Sequence, residues 1–100
     1  MTLHRIRYTP AAAESIRHLH PTVKQAIREA IRGLCADPLT GHPLAFELTG
    51  FRSLRVSRYR VIYRIQVETR FVEILLVGPR REIYEVFRGF LEQSKGTIRA

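Results

Sequence analysis

Apolar and polar residues alternate most regularly between Arg52 and Arg64. In the first half of this stretch Leu54 and Val56 alternate with serine and arginine. The alternating apolar residues of the second half are Tyr59, Val61, Tyr63 and Ile65. A period of two with valine, isoleucine and tyrosine is typical of a half-buried strand. The pattern therefore predicts two strands joined by a tight turn at Ser57-Arg58, with a core on one face and arginines on the other.

The N-terminal third of the chain has the pattern of one strand and two helices. Leu3 to Tyr8 alternates as a short strand. Thr9-Pro10 is a helix start, because threonine caps the first amide groups and proline has no N–H to leave unpaired. His20-Pro21 ends this helix and opens the next, since a residue before proline is disfavoured in helical conformation. The apolar stripe of the second helix is Val23, Ile27, Ala30, Ile31 and Leu34. The two helices should form a hairpin.

The remaining chain alternates loops and strands before a final helix. Asp37 to Pro43 is a loop by composition, and Leu44 to Leu48 is predicted as a strand that leads into the arginine-rich hairpin. Arg70 to Val77 is apolar nearly throughout, which favours a central strand buried on both faces. The region 94–100 is expected to be a polar, frayed tail. An amphipathic helix is predicted from the spacing of Ile83, Val86, Phe87, Phe90 and Leu91.

Without the short strand at Leu44 to Leu48, these elements give the order β-α-α-β-β-β-α, and 100 residues suffice for one domain, 1–100, with its own core. We predict an α+β fold, in which a curved, mostly antiparallel sheet carries the N-terminal helical hairpin on one face. A short C-terminal helix should lie at the edge or end of the sheet. Cys35 is the single cysteine, so no disulfide can form within the chain. Since neither a membrane span nor a signal peptide is evident, we expect a cytoplasmic protein that does not bind membranes.

Positive charge is concentrated in the C-terminal half. The chain has 17 lysine and arginine residues against 9 acids, a formal net charge of +8. Residues 51–100 hold 11 of the basic and 5 of the acidic residues. Charge of this kind favours nucleic acid, an anionic surface or an acidic protein as partner.

Arginines mark two candidate sites. The hairpin holds five of them and no acid: Arg52, Arg55, Arg58, Arg60 and Arg64. Guanidinium groups bind phosphate through paired hydrogen bonds, so this face is a candidate polyanion-binding surface. The second candidate is the segment from Gly78 to Tyr84. There Arg80 and Arg81 stand at a helix start, whose free N–H groups attract anions.

The histidines and the cysteine do not have the pattern of a metal centre. His18 and His20 lie two residues apart at a helix end, without the further ligands that a site requires. Cys35 is expected to be a small buried apolar group. His42 lies in a loop and would act as a general base only if it reached the arginines. We therefore expect no metal and no cofactor.

Two motifs carry a resemblance to a known family. Leu-Arg-Val-x-x-Tyr-Arg-Val-Ile-Tyr spans Leu54 to Tyr63, and Val-Gly-x-Arg-Arg-x-Ile-Tyr spans Val77 to Tyr84. With the Asp-Pro-Leu-Thr-Gly loop at 37–41 and the helical hairpin before it, their order and spacing resemble the RelE/ParE superfamily of toxins. These toxins belong to bacterial and archaeal toxin–antitoxin systems. The resemblance covers about residues 3–91.

The resemblance implies a small basic toxin of a type II system, neutralised by an acidic, partly disordered antitoxin. RelE-like members cut mRNA in the ribosomal A site without a metal, whereas ParE-like members inhibit DNA gyrase. Operator DNA would be reached only through the antitoxin complex. The motifs favour a RelE-like endoribonuclease. The alternatives are a ParE-like toxin without nuclease activity and an inactive member that only binds antitoxin.

Site residues follow from the resemblance by motif. The catalytic residues of a nuclease would be Arg60, Arg80, Arg81 and Tyr84. The residues implied in binding RNA phosphates are Arg52, Arg55, Arg58 and Arg64. Arg60 completes a Tyr-Arg pair, Arg80 follows a Gly-x pair, and Tyr84 resembles the tyrosine of the family's C-terminal helix.

The chain also departs from RelE-like nucleases. It has no lysine near Ser53 and Arg55, and arginine is a poor proton-transfer group because it stays charged. Pro79 stands where many relatives have histidine. Tyr84 follows Arg80 more closely than in those nucleases, and Phe87, which has no hydroxyl, occupies the other position for the tyrosine.

Overall fold

The computed structural model describes residues 3–99, with side chains described for residues 3–93. In this part of the chain, three helices pack against one sheet of five strands. The elements are β1 Arg5–Tyr8, α1 Pro10–Arg17, α2 Pro21–Gly33, β2 His42–Pro43, β3 Arg52–Val56, β4 Tyr59–Gln66, β5 Phe71–Pro79 and α3 Ile83–Arg99, with a 3-10 turn at Phe46–Leu48. The predicted α+β class is confirmed, with β2 as a two-residue strand in addition.

The strands are ordered β1-β5-β4-β3-β2 across the sheet. β1 pairs with β5 in parallel, and every other neighbouring pair among the described strands is antiparallel. The tight turn between β3 and β4 lies at Ser57-Arg58, where Ser57 has a φ of 55°. The mostly antiparallel sheet and the interior position of β5 confirm the predictions.

The helical hairpin is attached to the sheet by its first cap. Thr9 caps α1 as predicted, because its Oγ1 accepts a hydrogen bond from the Ala12 N–H at 3.1 Å. The same hydroxyl donates to the carbonyl of Leu75 in β5 at 2.6 Å. His20 caps α2 through Nδ1, which accepts from the Thr22 N–H at 3.2 Å. One hydroxyl therefore both starts α1 and fixes it over β5.

Both faces of the sheet are covered, so there are two cores. On the face called here the α1–α2 face, the helical hairpin packs against side chains that include Leu54, Val61 and Tyr63. On the opposite face, called the α3 face, α3 packs Ile83 and Phe87 against apolar side chains of β4 and β5. The arginines of β3 and β4 that point away from the α1–α2 face therefore lie on the face that α3 partly covers.

A bulge accounts for the nearly unbroken apolar run in β5. Ile62 of β4 pairs with Leu76, whereas Tyr63 pairs with Ile74, so Leu75 is an extra residue. Leu75 and Leu76 both belong to the core under α3, and Ile74 belongs to the core under the helical hairpin. The strand thus serves both cores without strict alternation.

The predicted strand at Leu44 to Leu48 is wrong. β2 ends at Pro43, and Phe46, at a φ of 56°, begins the 3-10 turn. A left-handed φ breaks the extended backbone that strand pairing needs. The turn brings Leu48 into the core under α3. Burial of one leucine, and not the alternation, decides the local backbone.

The C-terminal helix is longer and placed differently than predicted. α3 has 17 residues and covers a face of the sheet rather than its edge or end. An established helix continues through polar residues at little cost, and no proline interrupts this one. The side chains of 94–99, and Ala100 altogether, lie outside the described residues, so the frayed tail stays a prediction. Within residues 3–99, no helix combines the length and apolarity of a membrane span.

Candidate functional site

An arginine-lined cleft lies where the β3–β4 turn meets the connection from β5 to α3. Its volume is about 610 Å³, and its lining residues are Arg55, Ser57, Arg58, Pro79, Arg80, Arg81 and Glu82. The N–H of Arg80 donates to the carbonyl of Arg58 at 2.8 Å, which holds the two segments together. The fold thus joins the two arginine groups that are separated in sequence. We refer to this feature as the arginine cleft.

Arg60 adjoins the cleft from within the sheet. It pairs in register with Arg55 on β3 and with Gly78 on β5. Only 8% of the residue is exposed, and its Nε and Nη1 are buried without a hydrogen-bond partner. A buried cation with unpaired donors destabilises a protein unless an anion pairs with it. Among the described residues Arg60 has no anion as a partner, and it is therefore a candidate anion-binding group.

Gly78 makes room at this point of the sheet. A Cβ atom on it would lie 2.9 Å from Cδ1 of Ile83, the first residue of α3. The bare glycine lets the start of α3 approach the strand that pairs with Arg60. The glycine of the Val-Gly-x-Arg-Arg motif thus lets the end of the Ile83 side chain pack directly against β5.

The cleft has an uncompensated positive charge. Among ion pairs of the residues whose side chains are described, the cations are Arg17, His18, Arg64 and Arg88. None of these four residues lines the arginine cleft, and none of them is Arg60. Glu82 is the sole acid among the residues that line it. An anion that enters therefore meets guanidinium groups without having to displace a carboxylate.

Tyr84 lies in the first turn of α3 and points back to the sheet. Its hydroxyl donates a hydrogen bond to Oγ of Ser53 on β3 at 3.1 Å. Ser53 is fully buried, whereas Tyr84 is half-buried. By alternation along β3, Ser53 and Arg55 are on the same face, which is also the face of Arg60. The tyrosine therefore belongs to the same face of the sheet as the arginine cluster.

Two of the arginines implied in phosphate binding do not join this cluster. Arg52 lies on the α1–α2 face with Leu54, and its Nη2 donates to the carbonyls of Gly41 at 2.6 Å and Leu39 at 3.3 Å. Arg64 lies at the far end of β4 and forms an ion pair with Glu73 at 2.7 Å. Both side chains have structural partners, although Nε of Arg52 is buried without one among the described residues. The candidate phosphate-binding residues in the cleft are therefore Arg55 and Arg58, together with Arg80 and Arg81.

Arg52 and Tyr63 together hold the 37–43 loop. The buried Tyr63 hydroxyl accepts from the Gly41 N–H at 3.0 Å and donates to the Pro38 carbonyl at 2.7 Å. A Cβ on Gly41 would lie 2.6 Å from that hydroxyl, so only glycine fits there. The glycine of the Asp-Pro-Leu-Thr-Gly motif is thus a packing requirement.

The other polar candidates have structural roles. His18 hydrogen bonds to Glu14 at 2.9 Å, which lowers the pKa of that carboxyl, with Arg17 contributing. His20 caps α2, and His42 is exposed on β2. Among the described residues, no three histidine, cysteine or acidic side chains come together as a metal site would require.

Ser53 is a further residue of this face that the sequence pattern did not indicate as a site residue. Alternation along β3 places Ser53 on a polar face, which was expected to be open to solvent. α3 covers the face instead, so a serine that is unremarkable in sequence becomes a buried hydroxyl beside Tyr84. No signal within β3 itself could have identified it, since the covering residue is 31 positions away.

Comparisons with known proteins define the family. The model described as ParE toxin of type II toxin-antitoxin system, parDE, matches residues 6–84. Toxin RelG of Mycobacterium tuberculosis is 40% identical over 81 residues, which are 79% of this chain and 93% of the relative. The fold and these matches define the protein as a toxin of the type II toxin–antitoxin class. The chain belongs to the RelE/ParE superfamily.

Solved structures agree with this family. A chain of the toxin–antitoxin complex RelBE2 from Mycobacterium tuberculosis has 38% identity and a TM-score of 0.72, with 78% of this chain and 99% of that chain covered. A mutant of the toxin RelE from E. coli in the free state also has a TM-score of 0.72, over 93% of this chain and 98% of its own. At 21% identity, this match shows a similarity of fold only.

Proposed function

We propose that this toxin is a ribosome-dependent mRNA endoribonuclease that inhibits translation in the cytoplasm and is neutralised by a cognate acidic antitoxin. The observation that carries the proposal is Arg60, a buried guanidinium with two unpaired nitrogens beside a cleft of four further arginines. Such a site fits the phosphate of a polyanion. Tyr84 on the same face supplies a hydroxyl, which a pure binding surface would not require.

The proposed reaction is attack of an RNA 2′-OH on the adjacent phosphate, with release of the 5′ oxygen of the next nucleotide. Negative charge builds up on the phosphate oxygens during this step, and fixed cations stabilise it. We assign this role to Arg60, Arg80 and Arg81. Tyr84 is the candidate acid that protonates the leaving oxygen. Arg55 and Arg58 hold the phosphate backbone on either side.

The antitoxin partner is supported by charge and by a relative. A chain with a formal net charge of +8 attracts an acidic segment. RelBE2 of Mycobacterium tuberculosis was solved as a toxin–antitoxin complex. An acidic segment that covered the arginine cleft would exclude RNA by occupying the same guanidinium groups.

Translation in vitro with primer extension on the mRNA tests the proposed activity. The purified protein should produce breaks at discrete codons only when ribosomes are present. Arg80→Ala should abolish these breaks, because Arg80 lines the cleft and has no ion-pair partner among the described residues. Arg70→Ala is the matched control, since it removes an exposed arginine of the β4–β5 turn. Discrete breaks that persist in folded Arg80→Ala would contradict the site.

A gyrase-directed toxin is the second candidate function, because the family model that matches residues 6–84 is that of ParE toxins. This alternative predicts intact mRNA at a dose of protein that stops growth, together with inhibition of supercoiling by purified gyrase. If neither mRNA cleavage nor gyrase inhibition occurs while antitoxin still binds, the chain is an inactive member.

A further inference from the structure

We infer that Ser53 is a positioning residue that orients the Tyr84 hydroxyl and stabilises it after it has given up its proton. This inference rests on the proposed nuclease function and deepens it. Ser53 and Arg60 are the two polar residues classed as buried in the part of the chain whose side chains the structure describes. They are on adjacent strands and on the same face of the sheet.

The register places Ser53 next to the anion-binding group. Ser53 pairs with Ile62, and Arg60 is two residues along β4, which makes Ser53 and Arg60 diagonal neighbours. Diagonal neighbours are roughly 7–8 Å apart, within reach of a long side chain. A buried hydroxyl and a buried guanidinium are thus neighbours on the α3 face of the sheet.

The Ser53–Tyr84 pair has one hydroxyl proton that is not used in the hydrogen bond between the two residues. Two hydroxyls carry two protons, and one of them is shared in the 3.1 Å bond. Among the described residues, Ser53 Oγ has no hydrogen bond other than this one. In the structure Tyr84 donates in this bond. Rotation of the two hydroxyls reverses it, so that Ser53 donates to Tyr84 and the tyrosine proton is free for an oxygen in the site. The pair therefore has an arrangement in which Tyr84 is ready to act as an acid.

The proposed step balances within these groups. The Tyr84 O–H proton moves to the 5′ oxygen as the phosphorus–oxygen bond breaks. Ser53 keeps its own proton and donates a hydrogen bond to the tyrosinate that forms. A neutral serine is suited to this task, because a carboxylate there would repel both the tyrosinate and the RNA phosphate. Ser53 itself does not touch the substrate.

The alternative is a purely structural bond that fixes the first turn of α3 onto β3. The two roles differ in what they change. A structural bond affects the free energy of unfolding and leaves the response of cleavage to pH as it was. A positioning bond affects the chemical step, and its loss moves the alkaline limit of cleavage upward, since an unsupported tyrosinate forms less readily.

The test measures the ribosome-dependent cleavage rate of four proteins across pH, with thermal unfolding of each. These are the unsubstituted protein, Ser53→Ala, Tyr84→Phe and the double variant. We expect Tyr84→Phe to lose about 100-fold in kcat. Ser53→Ala should lose about tenfold at unchanged KM and shift the alkaline limit upward, and the double variant should be no slower than Tyr84→Phe. Ser53→Thr retains a hydroxyl and should recover most of the rate.

Each outcome decides between the roles. Full activity of Ser53→Ala with an unchanged pH profile overturns the inference while the nuclease function stands. Losses that multiply in the double variant also overturn it, because the two hydroxyls would then act independently. Absence of cleavage by the unsubstituted protein overturns the nuclease function, and the role of Ser53 falls with it.

Discussion

Arg60 lies on the interior strand β4 with two guanidinium nitrogens buried and unpaired. A protein under selection for stability alone has no reason to retain such a residue, because an apolar side chain of similar length would fill the space without desolvating a charge. Burial also strengthens the attraction between Arg60 and an anion, because fewer water molecules compete for the guanidinium. We therefore expect Arg60 to contribute to anion binding at the expense of folding stability.

Arg60→Met should therefore separate stability from function. We expect the free energy of unfolding to rise by about 1–3 kcal/mol, because methionine fills the site without an unpaired charge. Cleavage of mRNA should be lost at the same time. Urea unfolding and the translation assay measure the two effects.

Arg64→Met is the matched control for Arg60→Met. Arg64 lies on the same strand, but its substitution breaks the ion pair with Glu73. The free energy of unfolding should therefore not rise. A clear loss of stability in Arg60→Met, without a comparable loss in Arg64→Met, would mean that the buried guanidinium is paired in solution. The anion-binding assignment of Arg60 would then be wrong.

Among the secondary-structure elements, α3 determines which side chains come together on the α3 face. It brings Tyr84 to Ser53, covers Ile62 and the bulge of β5, and starts where Gly78 leaves room for Ile83. Among the described side chains, Arg88 of α3 also forms an ion pair with the 3-10 turn, in which its Nε is 2.9 Å from Glu47. The attachment of α3 therefore combines a buried apolar stripe with an exposed electrostatic contact.

The Glu47–Arg88 contact should make the attachment of α3 dependent on pH. A backbone hydrogen bond lowers the pKa of Glu47 below its usual 4.5, and the bond from Arg88 lowers it further. Because the folded state has the lower pKa, the stabilisation is present at neutral pH and is lost as pH falls through that lowered pKa. The unsubstituted protein should have a higher Tm than Glu47→Gln at neutral pH, and the two should converge in acid.

Salt provides the control for this prediction. Both partners are exposed, so the difference in Tm between the unsubstituted protein and Glu47→Gln should shrink at high ionic strength. A difference that persists unchanged in acid and in high salt would show that Glu47 acts by packing. The contact would then carry no electrostatic attachment of α3.

The whole molecule presents an excess of positive charge that is concentrated at one place. The arginine cleft gathers cations from β3, the β3–β4 turn and the β5–α3 connection. A second row of basic residues runs along α2, formed by the half-buried Lys24 and the exposed Arg28 and Arg32. Long-range attraction comes from the net charge as a whole, whereas close contact with a phosphate depends on the cleft.

Binding of single-stranded RNA should report how many cleft arginines contact phosphates. Each such contact contributes about 0.7 to the slope of log affinity against log salt concentration. Arg58→Ala should therefore weaken binding of a uridine oligonucleotide and reduce the slope by about 0.7. Arg70→Ala, which changes net charge equally but lies outside the cleft, should leave the slope as it is. Equal reductions in both variants would mean that binding follows net charge and not the cleft.

Much of the fold could be predicted from local signals. The two prolines and Thr9 define the helical hairpin, because capping and the missing proline N–H act within a few residues. The alternation after Arg52 defines the β3–β4 hairpin for the same local reason. The prediction of a strand from Leu44 to Leu48 was wrong because Leu48 packs into a core that includes residues of α3, which is far away in the sequence.

The candidate site divides in the same way. The sequence by itself determined the positions of the arginines, the excess of charge and the two motifs that resemble the RelE/ParE superfamily, because these depend only on residue type and spacing. The tertiary structure alone decided which arginines meet. Arg52 donates to backbone carbonyls of another segment, and Arg64 forms an ion pair with Glu73. Arg60 is buried with two nitrogens that have no partner among the described residues, and Ser53 meets Tyr84. Burial and pairing are set by contacts between distant segments, and no local pattern records them.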